Sequence, residues 1–362
     1  MKKHNFSAGP CILPEEVLQK ASQAILNFND DDLSLIEISH RSKPFVDVIE
    51  KARNLVLELL NLENKGYTAL FLQGGASGQF LMTAYNLLNK KAGYLNTGTW
   101  SSKAIREAKL FGEVIEIASS EDKNFSYIPK NYTIPTDLDY FHCTSNNTIY
   151  GTQMKNFPKT NVPLICDMSS DIFSRQLDFS KFDLIYAGAQ KNMGPAGTTL
   201  VVIKNEILGK VEREIPSMLN YQTFIDKESM FNTPPVFAIY TSMLTLEWLK
   251  NLGGIPFIEK VNEQKSALLY AEIDRNKLFE GTAQKEDRSH MNATFKLKNE
   301  ALKNEFDTLW KQANINGLEG HRSIGGYRAS MYNALPLYSV QALVDVMQEF
   351  ERTQNYSISI KK

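Results

Sequence analysis

Lys191 is the only charged side chain in 184–202, LIYAGAQKNMGPAGTTLVV. An apolar strand runs into small residues and the lysine. A turn built from Gly194, Pro195 and Gly197 then leads to a second β-rich run. An amine held between two strands, in a loop of small residues, suits partial desolvation, loss of its proton and nucleophilic work. A plain turn with a solvated lysine has the same composition, so this stretch alone leaves both readings open.

Asp167 lies 24 residues earlier, at the end of the very apolar run 162–166. A carboxylate there is costly without a charged or hydrogen-bonding partner. The spacing suits neighbouring strands whose carboxyl ends share one crevice. Gly74 and Gly75, in QGGASGQF, sit between a short strand and a helix. That order aims free N–H groups and a helix dipole at an anion, with the Ser77 hydroxyl as a further donor; a tight turn without a ligand is the alternative. Trp100 follows NTGT at the carboxyl end of another strand, where α/β proteins keep their ligands. It is either core or a flat platform for a ring. Asn146, Asn147 and Thr148 cluster after a further strand.

Two of the five histidines directly precede arginine, as His40-Arg41 and His321-Arg322, and Arg328 follows the second pair. Such pairs are commonly surface ion pairs, yet they can also grip a phosphate or carboxylate by charge-assisted hydrogen bonds. Their concentration in a near-neutral chain argues for a small, multiply anionic substrate. A Schiff-base lysine, an aspartate for a pyridinium nitrogen, an aromatic platform and a helix-start phosphate cradle together describe a pyridoxal 5′-phosphate site.

The elements that must position these groups are legible in outline. Residues 4–14 read as an extended lead-in, and Pro14, Glu15 and Glu16 open a helix. Helices are expected over 46–60, 79–88 and 101–111, and strands over 68–72, 94–96, 114–117 and 162–166. This alternation from about 66 to 205 predicts a mostly parallel sheet with helices on its faces. Residues 217–237 read as loop, 239–251 as an amphipathic helix closed by Gly253 and Gly254, and 256–278 as another helix. Beyond them, MNATFKL alternates like a strand with one exposed face, 299–314 is helical, 330–332 is a strand and 339–352 the last helix. The expected division is a lead-in, 1–14, packing with the small domain; a large cofactor-binding domain, 15–255; and a small α+β domain, 256–362.

Composition bounds the function. The chain has 362 residues, 43% hydrophobic and 22% charged, with a net charge of −1. No basic tail or domain-level positive charge points to nucleic acid. No apolar run has the length of a membrane span, and MKKHNFSAGP lacks the apolar stretch of a signal peptide. Cys11, Cys143 and Cys166 are few, odd in number and without metal-like spacing. Strand alternation sends His142 and Cys143 to opposite faces, so no metal site is expected. A cytoplasmic protein is expected.

At these residues the chain resembles the phosphoserine aminotransferase family, class V of the fold type I aminotransferases. The matching segments include NFSAGP, SHRS, FLQGGAS, NTGTWS, DMSSD, YAGAQKN, NTPP and GHRSIGG, in family order from residue 5 to about 345. The resemblance implies a reversible amino transfer from L-glutamate to 3-phosphohydroxypyruvate, giving O-phospho-L-serine and 2-oxoglutarate in serine biosynthesis. It leaves open 4-phosphohydroxy-L-threonine as a second substrate, in pyridoxine biosynthesis.

The resemblance also implies roles. Lys191 would be the Schiff-base lysine and proton shuttle, Asp167 the partner of the ring nitrogen, Trp100 the stacking platform and Thr148 the partner of the ring hydroxyl. Ala76, Ser77 and Gln190 would bind the cofactor phosphate. Asn232 and Thr233 would reach it from the neighbouring subunit of a homodimer. Arg328 would take the substrate α-carboxylate, and His40, Arg41, His321 and Arg322 the substrate phosphate or the glutamate side chain. Some family members carry an extra arginine where this chain has Ser77, which leaves the phosphate grip to the two His-Arg pairs. Another class V transaminase, or a catalytically silent cofactor-binding protein, is the alternative. A silent protein would be expected to lack one of Lys191, Asp167 or Arg328, and all three are present.

Overall fold

The computed structural model describes residues 3–360. Its centre is a seven-stranded sheet. In spatial order the strands are Tyr67–Leu72, Thr199–Lys204, Leu184–Gly188, Leu164–Asp167, Tyr140–Thr144, Lys91–Asn96 and Glu113–Ser119. Only Thr199–Lys204 runs against its two neighbours; the others share one direction. The reversal follows from the short connection after Gly188, which holds one turn of helix, Ala189–Asn192, and no crossover.

Both faces of the sheet are covered, so its strands inside the edge strand Glu113–Ser119 are buried on both sides. Ala69, Phe71, Leu200 and Val202 enter one core, with helices Glu15–Leu26, Lys43–Leu59 and Val236–Asn251. Leu70, Leu72, Val201 and Ile203 enter the other, with Gly75–Leu87 and Thr99–Ala108. A third core joins Phe6 to residues from Leu269 to Phe350. It is built on the three-stranded antiparallel sheet Phe279–Gly281, Asn292–Leu297 and Tyr327–Ser330. The lead-in reaches this part: His4–Asn5 pairs in parallel with Ile315–Asn316.

Several expectations are corrected. The helix after the glycine turn begins at Gly75, not 79, so Ala76 and Ser77 lie in its first turn. Residues 221–226 are helical rather than loop, started by Asn220, whose side chain accepts from Gln222 N–H at 2.9 Å. Helix Val236–Asn251 is not amphipathic, because its hydroxyl residues are buried as well. Thr241 donates to Phe237 O at 2.8 Å and Thr245 to Thr241 O at 2.9 Å, so neither hydroxyl needs water. Asn292–Leu297 is the middle strand of its sheet and is covered on both faces except at Lys296. The last strand is Tyr327–Ser330: Tyr327 and Ala329 enter the core, and Arg328 faces the other way.

Candidate active site

Strands Leu164–Asp167 and Leu184–Gly188 are adjacent and parallel, with Asp167 opposite Tyr186. Their carboxyl ends therefore bring Asp167 and the lysine turn to one cavity of about 360 Å³. Lys191 and Asp167 line it together with Trp100, Thr148, Gln190 and Arg328. Ala76, Ser77 and His321 complete the expected residues found there.

Lys191 Nζ donates to Thr148 Oγ1 at 2.8 Å and lies 5.5 Å from the centre of the Trp100 ring. Burial pushes the amine down to about 8; Asp167 pulls it back up, and Arg328 adds to the depression. Asp167 is buried, and its Oδ1 accepts from Ser169 N–H at 2.9 Å. Burial raises its pKa, against the opposing pull of Lys191 and Ser169. Behind it, Ser145 Oγ donates to Asp167 O at 3.1 Å and also to Asp171, which is paired with buried Arg175 at 2.8 Å.

The glycine turn is built for close approach. Gly74 is left-handed at φ 97°, and a Cβ added to Gly75 would meet nothing within 4 Å. Gly78 N–H makes the turn's first helical bond, to Gly74 O at 3.0 Å. The earlier N–H groups, those of Ala76 and Ser77 among them, stand outside the helical ladder. Trp100 Nε1 is buried without a partner, as is Arg328 Nε. Arg328 has no carboxylate partner among the described residues, and burial lowers its pKa. His321 Nδ1 contacts Ser323 Oγ at 2.7 Å; burial, then Arg328, Lys103 and Arg322, lower its pKa.

The remaining expected residues are not in the cavity lining. His40 and exposed Arg41 lie in the turn before helix Lys43–Leu59, and Arg322 is in the exposed loop beside His321. Asn232 and Thr233 precede helix Val236–Asn251, where Thr233 O accepts from Gln73 Nε2 at 2.9 Å. Conversely, Ala8, Gly9, Ile149 and Ser169 line the cavity and were not singled out in the sequence. A Cβ on Gly9 would come within 3.2 Å of Lys191 Cγ. Cys11 N–H donates to Gln190 O at 3.1 Å, and its thiol to Lys191 O. The lead-in is thus a wall of the lysine turn.

The class-V aminotransferase family model matches residues 3–343. The chain belongs to the class-V aminotransferases. This aminotransferase is 70% identical to the phosphoserine aminotransferase of Flavobacterium psychrophilum, over 97% of this chain and 99% of that protein. The solved phosphoserine aminotransferase of Bacillus circulans subsp. alkalophilus superposes with a TM-score of 0.94 at 42% identity, over 98% and 99% of the two chains. The pyridoxal-phosphate-bound phosphoserine aminotransferase of Trichomonas vaginalis superposes at 0.91, with 34% identity over 96% and 100%. The fold is therefore that of the pyridoxal-phosphate-dependent aminotransferases, and pyridoxal phosphate is the cofactor. The cavity fits it: an amine, a buried carboxylate, an indole with a spare donor and free helix-start N–H groups surround a volume in the ~300–1,000 Å³ range of small-molecule sites.

Proposed function

We propose that this aminotransferase is a phosphoserine aminotransferase of serine biosynthesis. It moves the amino group of L-glutamate to 3-phosphohydroxypyruvate and yields O-phospho-L-serine and 2-oxoglutarate. The observation that carries the reading is the sharing of one cavity by Lys191, Arg328 and His321, with Arg328 free of any carboxylate among the described residues. A guanidinium so placed suits a substrate carboxylate, in a bidentate grip that lysine does poorly.

When bound, pyridoxal phosphate supplies an aldehyde that captures amino groups and a ring that accepts the electron pair released at the substrate Cα. In this reading Asp167 holds the proton on the ring nitrogen, a cation that also favours the ionised carboxylate. Trp100 stacks on the ring, Thr148 bonds its hydroxyl, and Ala76, Ser77 and Gln190 bind the phosphate. Lys191, its pKa lowered to about 8, takes the proton from Cα and returns it on the other side of the transfer. Arg328 fixes the α-carboxylate, so that the Cα–H bond is held toward that amine.

His40, Arg41, Arg322, Asn232 and Thr233 complete the site when a second chain supplies those that one chain keeps outside the cavity. The working unit is then a homodimer with composite sites. The two His-Arg pairs receive the substrate phosphate or, in the other half-reaction, the glutamate side-chain carboxylate. The chain divides into a lead-in, 1–14, a large domain, 15–255, and a small domain, 256–362. No helix of the described residues is long and apolar enough to cross a membrane, and a cytoplasmic place belongs to the same proposal.

A coupled assay tests the reading. Purified protein with glutamate and 3-phosphohydroxypyruvate should form O-phosphoserine, and hydroxypyruvate without the phosphate should be a far poorer acceptor. Equal turnover of both acceptors would refute the phosphate role of the His-Arg pairs.

A further inference from the structure

Lys265 has no part in the chemistry described so far, yet it is fully buried, at 0% exposure in helix Gly254–Arg275. A buried lysine is costly unless every N–H is engaged. No carboxylate pairs with it among the described residues. Its amine instead donates to three carbonyls, Met331 O at 3.0 Å, Tyr332 O at 2.8 Å and Leu335 O at 3.1 Å. Three donors meet three acceptors, so the ammonium is saturated. Burial pushes its pKa down to about 7; the carbonyl dipoles act in the opposite sense and favour the charged form.

The turn it grips joins three pieces of the site. It directly follows the strand Tyr327–Ser330, which carries Arg328. Tyr332 OH donates to Ala8 O at 2.9 Å, on the cavity wall. Asn333 N–H donates to Asn192 Oδ1 at 2.8 Å, one residue from Lys191. Asn333 Nδ2 also donates to Phe173 O at 2.9 Å, and Asn262, on the lysine's own helix, donates to Asn333 Oδ1 at 2.9 Å. One amine therefore fixes a strut between the Arg328 strand, the lead-in wall and the lysine turn.

We infer that Lys265 is a positioning residue, which pins the 331–335 turn and so sets the Arg328–Lys191 relation that receives an amino-acid carboxylate. The inference rests on the aminotransferase reading above. A side chain that merely filled space would leave Met331, Tyr332 and Leu335 to other donors.

The test is Lys265→Met in cofactor-loaded protein. Two readouts are compared with wild type: the glutamate KM, and half-saturation of the glutamate-induced change in visible absorbance. Both should rise about 10- to 100-fold, the cost of a small misplacement at a reacting centre, while cofactor affinity changes little. Val56→Ala, in helix Lys43–Leu59 and in a different core from Met331 and Leu335, serves as the destabilised reference, with a lowered Tm and an unchanged KM. Asn192→Ala removes the acceptor of Asn333 N–H, together with the amide's own donation to Ile172 O, and should raise the glutamate KM in the same direction; it carries the test if Lys265→Met does not fold. A lowered Tm with unchanged glutamate half-saturation in Lys265→Met, or an unchanged KM in Asn192→Ala, would overturn the positioning role. Wild-type protein that fails to respond to glutamate would instead refute the functional reading itself.

Discussion

The Lys191 amine is held by a hydroxyl, that of Thr148 at 2.8 Å, and not by a carboxylate. A carboxylate at that distance would keep the amine protonated. A hydroxyl accepts from ammonium and amine alike, so it aims the nitrogen and leaves its proton free to move. Replacing Thr148 by Val should leave the fold intact and lower kcat about tenfold, the worth of one hydrogen bond. Steady-state kinetics beside a thermal melt would separate the two effects.

Removing the amine has a second consequence, which pH exposes. The folded-state pKa of Lys191 is about 8, against about 10.4 in an unfolded chain. Below pH 8 both states hold the proton, and the fold bears the full cost of a buried charge. Between those values the unfolded chain holds more protons, so wild-type stability rises with pH. Cofactor-free Lys191→Met should therefore be more stable than wild type at pH 7, by on the order of 2–3 kcal/mol. The gap should close as pH climbs from 8 to 10. Urea denaturation across that range measures it, and the same variant should show no turnover.

Arg328→Lys keeps the charge and loses the fork. It should raise the glutamate KM by about 100-fold, with smaller change in cofactor affinity, because a point charge replaces a bidentate grip. An unchanged KM for both amino acid and keto acid would place the carboxylate elsewhere.

Gly9 has a φ of +134°, and a Cβ there meets the stem of Lys191 at 3.2 Å. Gly9→Ala should cost about 1–3 kcal/mol of stability and displace the lysine, lowering kcat more than KM. Calorimetry and initial rates check both halves of that statement.

Arg175 neutralises Asp171 behind the Asp167 strand end. Arg175→Met would leave that carboxylate buried without its cation, at a cost of about 3–5 kcal/mol. Equilibrium unfolding of the variant reads it directly.

Part of the candidate site was legible because its residues sit at the carboxyl end of a strand or the start of a helix. Asp167 and Lys191 meet because their strands are neighbours in the sheet, as their spacing implied. Trp100, Thr148 and Ser77 follow from the same rule. Helix Val236–Asn251 was misread because Thr241, Ser242 and Thr245 resemble a wet face; two of them close on their own helix's carbonyls. Gly9 was invisible for another reason. Its contact with Lys191 depends on where the lead-in returns in space, and nothing local in SAGP encodes that. The buried Lys265 was hidden too, since a lysine in NEQKSALLY reads as surface until the facing turn is known.

The pairing of His4–Asn5 with Ile315–Asn316 has a consequence for biosynthesis. The wall of the lysine turn is made on the ribosome long before its anchoring strand emerges. That segment must wait, unpaired, while the residues between them are synthesised, and the contact closes a long loop. The lead-in side of the lysine turn is therefore anchored only after the third core has assembled, so a nascent or truncated chain lacking residues near 315 should leave that side of Lys191 open.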